Sequence, residues 1–201
     1  GTLDATSIQV AVIVSGNYYR NTVVDDQIFT IAKPGILNSI VGGGLMDNGL
    51  APASSGYLAG APGVANYTSF ESHVKYTKSG TNPMGGVSLI VKSYNLPDGT
   101  RDTTLHVYLI KSTAISTLAV SEGKASFSAK AVVQDITNPA APISIDGAAP
   151  IQISMTDGTT SLTDRVAITV QRKNGGVWFS SGWDGLKTVE KPIVSGNVVM
   201  N

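Results

Sequence analysis

The sequence contains no cysteine, which excludes disulfides and cysteine-based metal sites. Charge is scarce as well. Charged residues make up 14% of the chain, against about 25% in an ordinary soluble domain. The 14 basic and 14 acidic side chains cancel, so there is no electrostatic footprint for nucleic acid or an anionic membrane. No stretch approaches the roughly 18 uncharged apolar residues that a membrane-crossing helix needs, and no membrane insertion is expected. The chain begins at Gly1 without an initiator Met, as a mature fragment or an expressed piece with a leftover glycine would.

The motifs of catalysis are missing too. Only His73 and His106 supply imidazoles, they are far apart in sequence, and no HExxH spacing is present. No Gly-x-Ser-x-Gly elbow accompanies the plentiful serines. The Gly-rich stretch over residues 36–67 lacks both the Gly-Lys-Ser/Thr ending of a phosphate loop and the GxGxxG spacing. Acids that could work in pairs on a glycoside are sparse: Glu71, Glu122, Glu190 and eleven aspartates. Asp98, Asp146, Asp157 and Asp184 each precede a glycine, the pattern of a turn former. Asp25-Asp26, or Asp157 with Asp164, has the chemistry to ligate Ca²⁺. Without DxDxDG-like spacing no metal site is assigned. Nor are catalytic residues or a cofactor.

What is present reads as strand and turn. Residues 164–185 carry the clearest statement. Val166, Ile168 and Val170 alternate as in a half-buried strand, and Asn174-Gly175 suits a type I′ hairpin turn. That turn would set Val170 against Phe179 and Val166 against Trp183. A turn at Gly175-Gly176 would oppose Val170 to Ser181 and Arg172 to Phe179, a poorer pairing.

Ile8, Val10, Val12 and Val14 alternate in a first strand, turned by Gly16-Asn17. Val23-Val24 and residues 28–31 read as short extended pieces before Lys33-Pro34-Gly35. The Gly-rich segment reads as a compact loop where backbone crosses close to backbone. Phe70, Val74 and Tyr76 point one way, and Glu71, His73 and Lys75 the other. A turn over Gly80 to Gly86 follows. Residues 87–94 and 105–110 are apolar on both faces in places, which predicts central strands. Pro97-Asp98-Gly99 joins them. Phe127, Ala129, Ala131 and Val133 line a further strand, broken by residues 138–142, and Asp146-Gly147 turns again. Ile151, Ile153 and Met155 make the next strand, and residues 198–200 suit a closing edge. Residues 113–120 are poor helix formers. The whole predicts an all-β, largely antiparallel β-sandwich or barrel-like domain with no long helices.

Five segments carry a resemblance: residues 39–44, Ser-Ile-Val-Gly-Gly-Gly; residues 55–63, Ser-Gly-Tyr-Leu-Ala-Gly-Ala-Pro-Gly; residues 70–80; residues 134–147; and residues 179–190. Together they resemble the C-terminal β-rich module of large secreted bacterial cell-surface proteins, of the kind that follows strings of Ig-like or PKD-like domains. The resemblance implies one β domain over residues 1–201. Residues 1–34 would be the last strands of a preceding Ig-like unit and 36–201 the module proper. It also implies a secreted or cell-surface location, other domains of the same large chain as partners, and no activity. The expected role is therefore a non-catalytic surface module, structural or adhesive. A carbohydrate-binding module taking extracellular polysaccharide is the alternative, with a carbohydrate-active enzyme behind it. For the binding alternative the candidate residues are Trp178 and its neighbour Gln171, since an exposed ring stacks on a sugar. The reading favoured for Trp178 itself is packing beneath the Gly-rich segment, which can cover the outer face of one sheet.

Overall fold

Alternating apolar residues account for most of the strands seen in a computed structural model of the chain, which describes residues 5–10, 27–32, 39–63, 67–161 and 163–201. Strands β1 (Ala5–Val10) and β2 (Gln27–Ala32) pair antiparallel as a separate two-stranded sheet. The reading of residues 28–31 as extended falls within β2. Val12, Val14, Gly16-Asn17, Val23-Val24 and Lys33-Pro34-Gly35 lie outside the described residues.

The main sheet begins with β3 (Ser39–Met46), β4 (Thr68–Tyr76), β5 (Pro83–Asn95) and β6 (Arg101–Ser121). It continues through β7 (Lys124–Asp135), β8 (Ile143–Thr156) and β9 (Arg165–Gln171). It ends with β10 (Val177–Ser180), β11 (Lys191–Pro192) and β12 (Ser195–Met200). Its order is β10-β9-β8-β7-β6-β5-β4-β3-β12, antiparallel throughout, with β11 also against β9. No helix occurs among the described residues. The chain is all-β, and this sheet is curled and barrel-like.

One face of the curl holds the core. Phe70, Val74, Leu89, Val91, Tyr108, Ile110, Phe127, Ile151, Ile153, Ile168 and Phe179 are all buried there. Each such side chain contributes about 1.5–3 kcal/mol relative to exposure. On β4 the expected alternation holds, with Phe70, Val74 and Tyr76 buried and Glu71, His73 and Lys75 exposed. β5 and β6 lie centrally, as their two-sided hydrophobicity predicts. Residues 113–120 are strand, with register shifts between Ser112 and Ala114 and between Ile115 and Thr117. Bulges of this kind bend a sheet.

Two expectations are corrected by packing. The glycine triplet at 42–44 is not loop but part of β3, paired with both β4 and β12. Backbone crowding is the reason: a Cβ on Gly44 would lie 2.3 Å from the Ser195 carbonyl oxygen. The compact loop begins only after β3, at residue 47, and is described as far as residue 63. Asp146-Gly147 lies within β8 and does not end it. The irregularity is taken up as a register shift against Val133, and the Asp146 carboxylate accepts the Ala148 N–H.

The focal hairpin combines features of both registers considered. Val170 faces Phe179. The positive φ angles, however, fall on Gly175 (+90°) and Gly176 (+84°), and not on Asn174. Val177 pairs with Gln171, and the register shifts between Val177 and Phe179. Trp178 is the extra residue that restores the core pairing. Val166 does not face Trp183. Beyond Ser180 the chain bends away, Trp183 pairs with Thr188, and Lys191 of β11 takes the place opposite Val166.

Candidate functional site

The loop over residues 47–63 helps to shape an open cleft on the surface. It runs along the open side of β10. Ser55 bridges Ser180, the Tyr57 N–H donates to the Val177 carbonyl, and the Leu58 N–H to that of Trp178. The loop is pinned from beneath by Lys191, which is 2% exposed. Its ammonium donates to the carbonyl oxygens of Asp47 and Leu50 at 2.7 Å and of Ser181 at 3.2 Å. Burial pushes this amine below the ordinary lysine range, with Asp47 opposing.

Beneath the loop lies Trp178, 7% exposed. Its indole N–H donates to Asp146 Oδ2 at 2.9 Å. Tyr57 meets it edge-on at 6.1 Å. The Arg172 guanidinium stacks 3.8 Å from the Tyr57 ring centre and 4.9 Å from that of Trp178. Partial burial works to raise the Asp146 carboxyl. The Ala148 N–H, the Trp178 indole and Lys173 outweigh it and hold the group below the usual carboxylate range. Gln171 is half-buried in the ladder beside Val177. The structure thus places Trp178 and Gln171 close together, but Trp178 is covered and presents no open platform. The loop that covers it is the Gly-rich segment.

The open feature is next door. A cleft of about 490 Å³ is lined by Ser55, Gly56, Tyr57, Asp98, Gly99, Val177, Ser180 and Trp183. Three segments meet here: the covering loop, the β5–β6 turn, and the chain leaving β10. Trp183 is half-buried and fixed by its N–H to the Ala53 carbonyl. Asp98 caps its turn, accepting the Thr100 N–H and hydroxyl at Oδ1. Those bonds hold its carboxyl low. Asp98 is the one carboxylate in the lining, and no imidazole joins it. In the sequence Trp183 is read as a core partner, Asp98 as a turn former and Tyr57 as part of a loop. No spacing connects them, because only the fold brings the three segments together.

The densest ionic cluster lies elsewhere. His106 on β6 faces Asp102 Oδ2 through Nε2 at 2.9 Å and Asp135 Oδ2 through Nδ1 at 3.0 Å. The Thr137 hydroxyl donates to Asp135 Oδ1. The Tyr108 ring stacks on the imidazole at 5.9 Å, and its phenol, driven far upward by burial, donates to the Asn95 carbonyl. The Asp102 hydrogen bond raises the His106 pKa; burial opposes and Asp135 adds to it. With a carboxylate on each nitrogen, protonation of the ring is favoured and both nitrogens are engaged. Such a ring has no free nitrogen with which to take a proton from a hydroxyl. His73 sits on the exposed side of β4.

Asp157 and Asp164, which the sequence pairs as Ca²⁺ candidates, are indeed neighbours. Their acceptors are turned on backbone N–H groups. Asp164 takes Gly158 on Oδ1 and Val198 on Oδ2, and Asp157 takes Met200. Asp25-Asp26 lies outside the described residues. Among the described residues no group of three or more His, Asp or Glu side chains is placed to hold a metal ion. No family model matches the chain, and no curated protein and no solved structure matches it.

Proposed function

We propose that the chain is a non-catalytic module displayed outside the cell, structural or adhesive, and part of a longer multidomain protein. The observation that carries this reading is that both outer strands of the main sheet are closed off within the chain. β10 is covered by the loop at residues 55–58, and on β12 the N–H groups of Val198 and Met200 are taken by Asp164 and Asp157. An open edge invites pairing with other chains, so a sheet with one edge covered by a loop and the other capped by two carboxylates suits repeated display at high local concentration. The ionisable groups fit the same picture. Lys191, Asp164 and His106 each join segments distant in sequence.

Two measurements test it. Purified protein is incubated with chromogenic glycosides, esters and peptides, and no turnover is expected. Turnover abolished by Asp98→Asn or His106→Asn would overturn the non-catalytic half. Beads coated with the protein are then presented to polysaccharide and protein surfaces. Attachment above the level of uncoated beads identifies the role as adhesive, and its absence leaves the structural role.

A further inference from the structure

We propose that the cleft between Tyr57 and Trp183 is a binding site for a neutral saccharide, with Asp98 as the hydrogen-bond acceptor for its hydroxyls. This inference rests on the non-catalytic reading and gives it a ligand. The volume, about 490 Å³, lies within the range of small-molecule sites. The lining mixes two aromatic rings, hydroxyl side chains and glycine-exposed backbone. Sugars need that mixture, because their C–H faces stack on rings while their rims need acceptors and donors.

The polar groups have unused capacity. Asp98 engages Thr100 through Oδ1 alone. No other residue among those described donates to its Oδ2, and the indole N–H of Trp183 has no partner among them. An ionised carboxylate only accepts hydrogen bonds, and a pair of adjacent sugar hydroxyls supplies donors for it.

Charge selects among ligand classes. A lone carboxylate with no basic residue in the lining repels anions, so acidic polysaccharides are disfavoured. Aromatic rings beside a carboxylate would suit a quaternary ammonium. Here, however, Arg172 already lies 3.8 Å from the Tyr57 ring centre. A second cation would compete for that ring and face the guanidinium charge. A neutral, hydroxyl-rich ligand avoids the charge repulsion and has the Trp183 ring, which carries no such cation, to stack on.

The intact chain is titrated by ¹H–¹⁵N NMR with oligosaccharides of glucose, galactose, mannose and N-acetylglucosamine. Polygalacturonate and choline serve as comparators. At least one neutral series is expected to bind and to shift the Trp183 indole resonance. Trp183→Ala and Asp98→Asn are each expected to weaken it about tenfold or more, the equivalent of one good contact, whereas Trp183→Phe retains it. Should Trp183→Ala fail to fold, Asp98→Asn carries the test, since that side chain is exposed. Three outcomes overturn the proposal: no neutral oligosaccharide binds, binding survives both substitutions, or choline or polygalacturonate binds more tightly. Cleavage of a bound saccharide would sustain the cleft as its site and overturn the non-catalytic reading instead.

Discussion

The two outer strands of the main sheet face the same problem and solve it with different chemistry. β10 meets a neighbouring loop by main chain to main chain: Ser55 with Ser180 in both directions, Tyr57 with Val177, and Leu58 with Trp178. β12 meets the β8–β9 connection by side chain to main chain. Val198 and Met200 direct their N–H groups at Asp164 Oδ2 and Asp157 Oδ2, at 2.7 and 3.0 Å. The first solution needs backbone close to backbone and therefore small residues. The second bridges a wider gap with a carboxylate. Charge-assisted bonds of this type are stronger than neutral ones, but the whole seam rests on two residues. One edge therefore fails by steric intrusion and the other by loss of a single acceptor.

The carboxylate edge gives the largest predicted effect. Asp164 is 1% exposed and accepts two N–H groups. Asp164→Ala leaves the buried Val198 N–H and the half-buried Gly158 N–H unpaired, the first at about 1–3 kcal/mol and the second at about 1 kcal/mol, for a loss of about 2–4 kcal/mol in urea unfolding. Asp157→Ala orphans the Met200 N–H alone, at a half-buried position, and is expected to cost about 1 kcal/mol. Amide exchange at Val198 should quicken in the first variant and at Met200 in the second. Equal losses for the two, or no change at Val198, would show that the seam is not held by these carboxylates.

The main-chain edge comes next. A Cβ on Gly56 would sit 2.7 Å from the Trp178 carbonyl oxygen, in a backbone with φ of +105°. Gly56→Ala is expected to cost about 2–3 kcal/mol through collision and strain together. Gly185 separates the two contributions. It has nearly the same φ, +107°, with nothing within 4 Å of a Cβ, so Gly185→Ala should cost only the strain, about 1–2 kcal/mol. If both substitutions cost the same, close approach is not what the edge requires.

Legibility in the sequence follows the range of the interactions. Alternation exposes the buried faces of β4, β7 and β8, because a strand's two faces are written in consecutive residues. The packing of Trp178 beneath the Gly-rich segment is also readable, from the bland face on which the ring falls and the small residues available to cover it. The glycine triplet misleads, because glycine marks close backbone approach in a loop and in a strand alike. The edge seam leaves no local trace: Asp164 and Val198 are 34 residues apart, and Asp157-Gly158 reads as a turn. Lys191 looks like a surface charge until the fold surrounds it with carbonyls. The cleft is the hardest to read, since Tyr57, Asp98 and Trp183 lie on three separate segments.

The smallest effect concerns pH, and it asks whether a charged staple behaves differently from a main-chain one. His106 joins Asp102 on its own strand to Asp135 at the end of β7. Its pKa is raised above the ordinary 6.5, chiefly by Asp102. Protonation is therefore favoured in the folded state. The stabilisation is full below pH 6.5 and is lost as pH rises through the raised value. The acids set the lower bound. Asp102 is held below 3.8, first by His106. Burial pushes Asp135 upward, but Thr137 and then His106 outweigh it. Their contribution is lost only as pH falls through those depressed values. The staple is thus strongest from roughly pH 4 to 6.5 and weakens as pH rises through the raised His106 value. Melting temperatures across pH 5–8 should decline in the native chain on the alkaline side, and His106→Asn should lack that decline. Gly56→Ala, which disturbs only the main-chain edge, should melt lower at every pH but keep the native slope. Parallel curves for the native chain and His106→Asn would remove the imidazole from the account, and a flattened Gly56→Ala curve would show that the two kinds of staple are coupled.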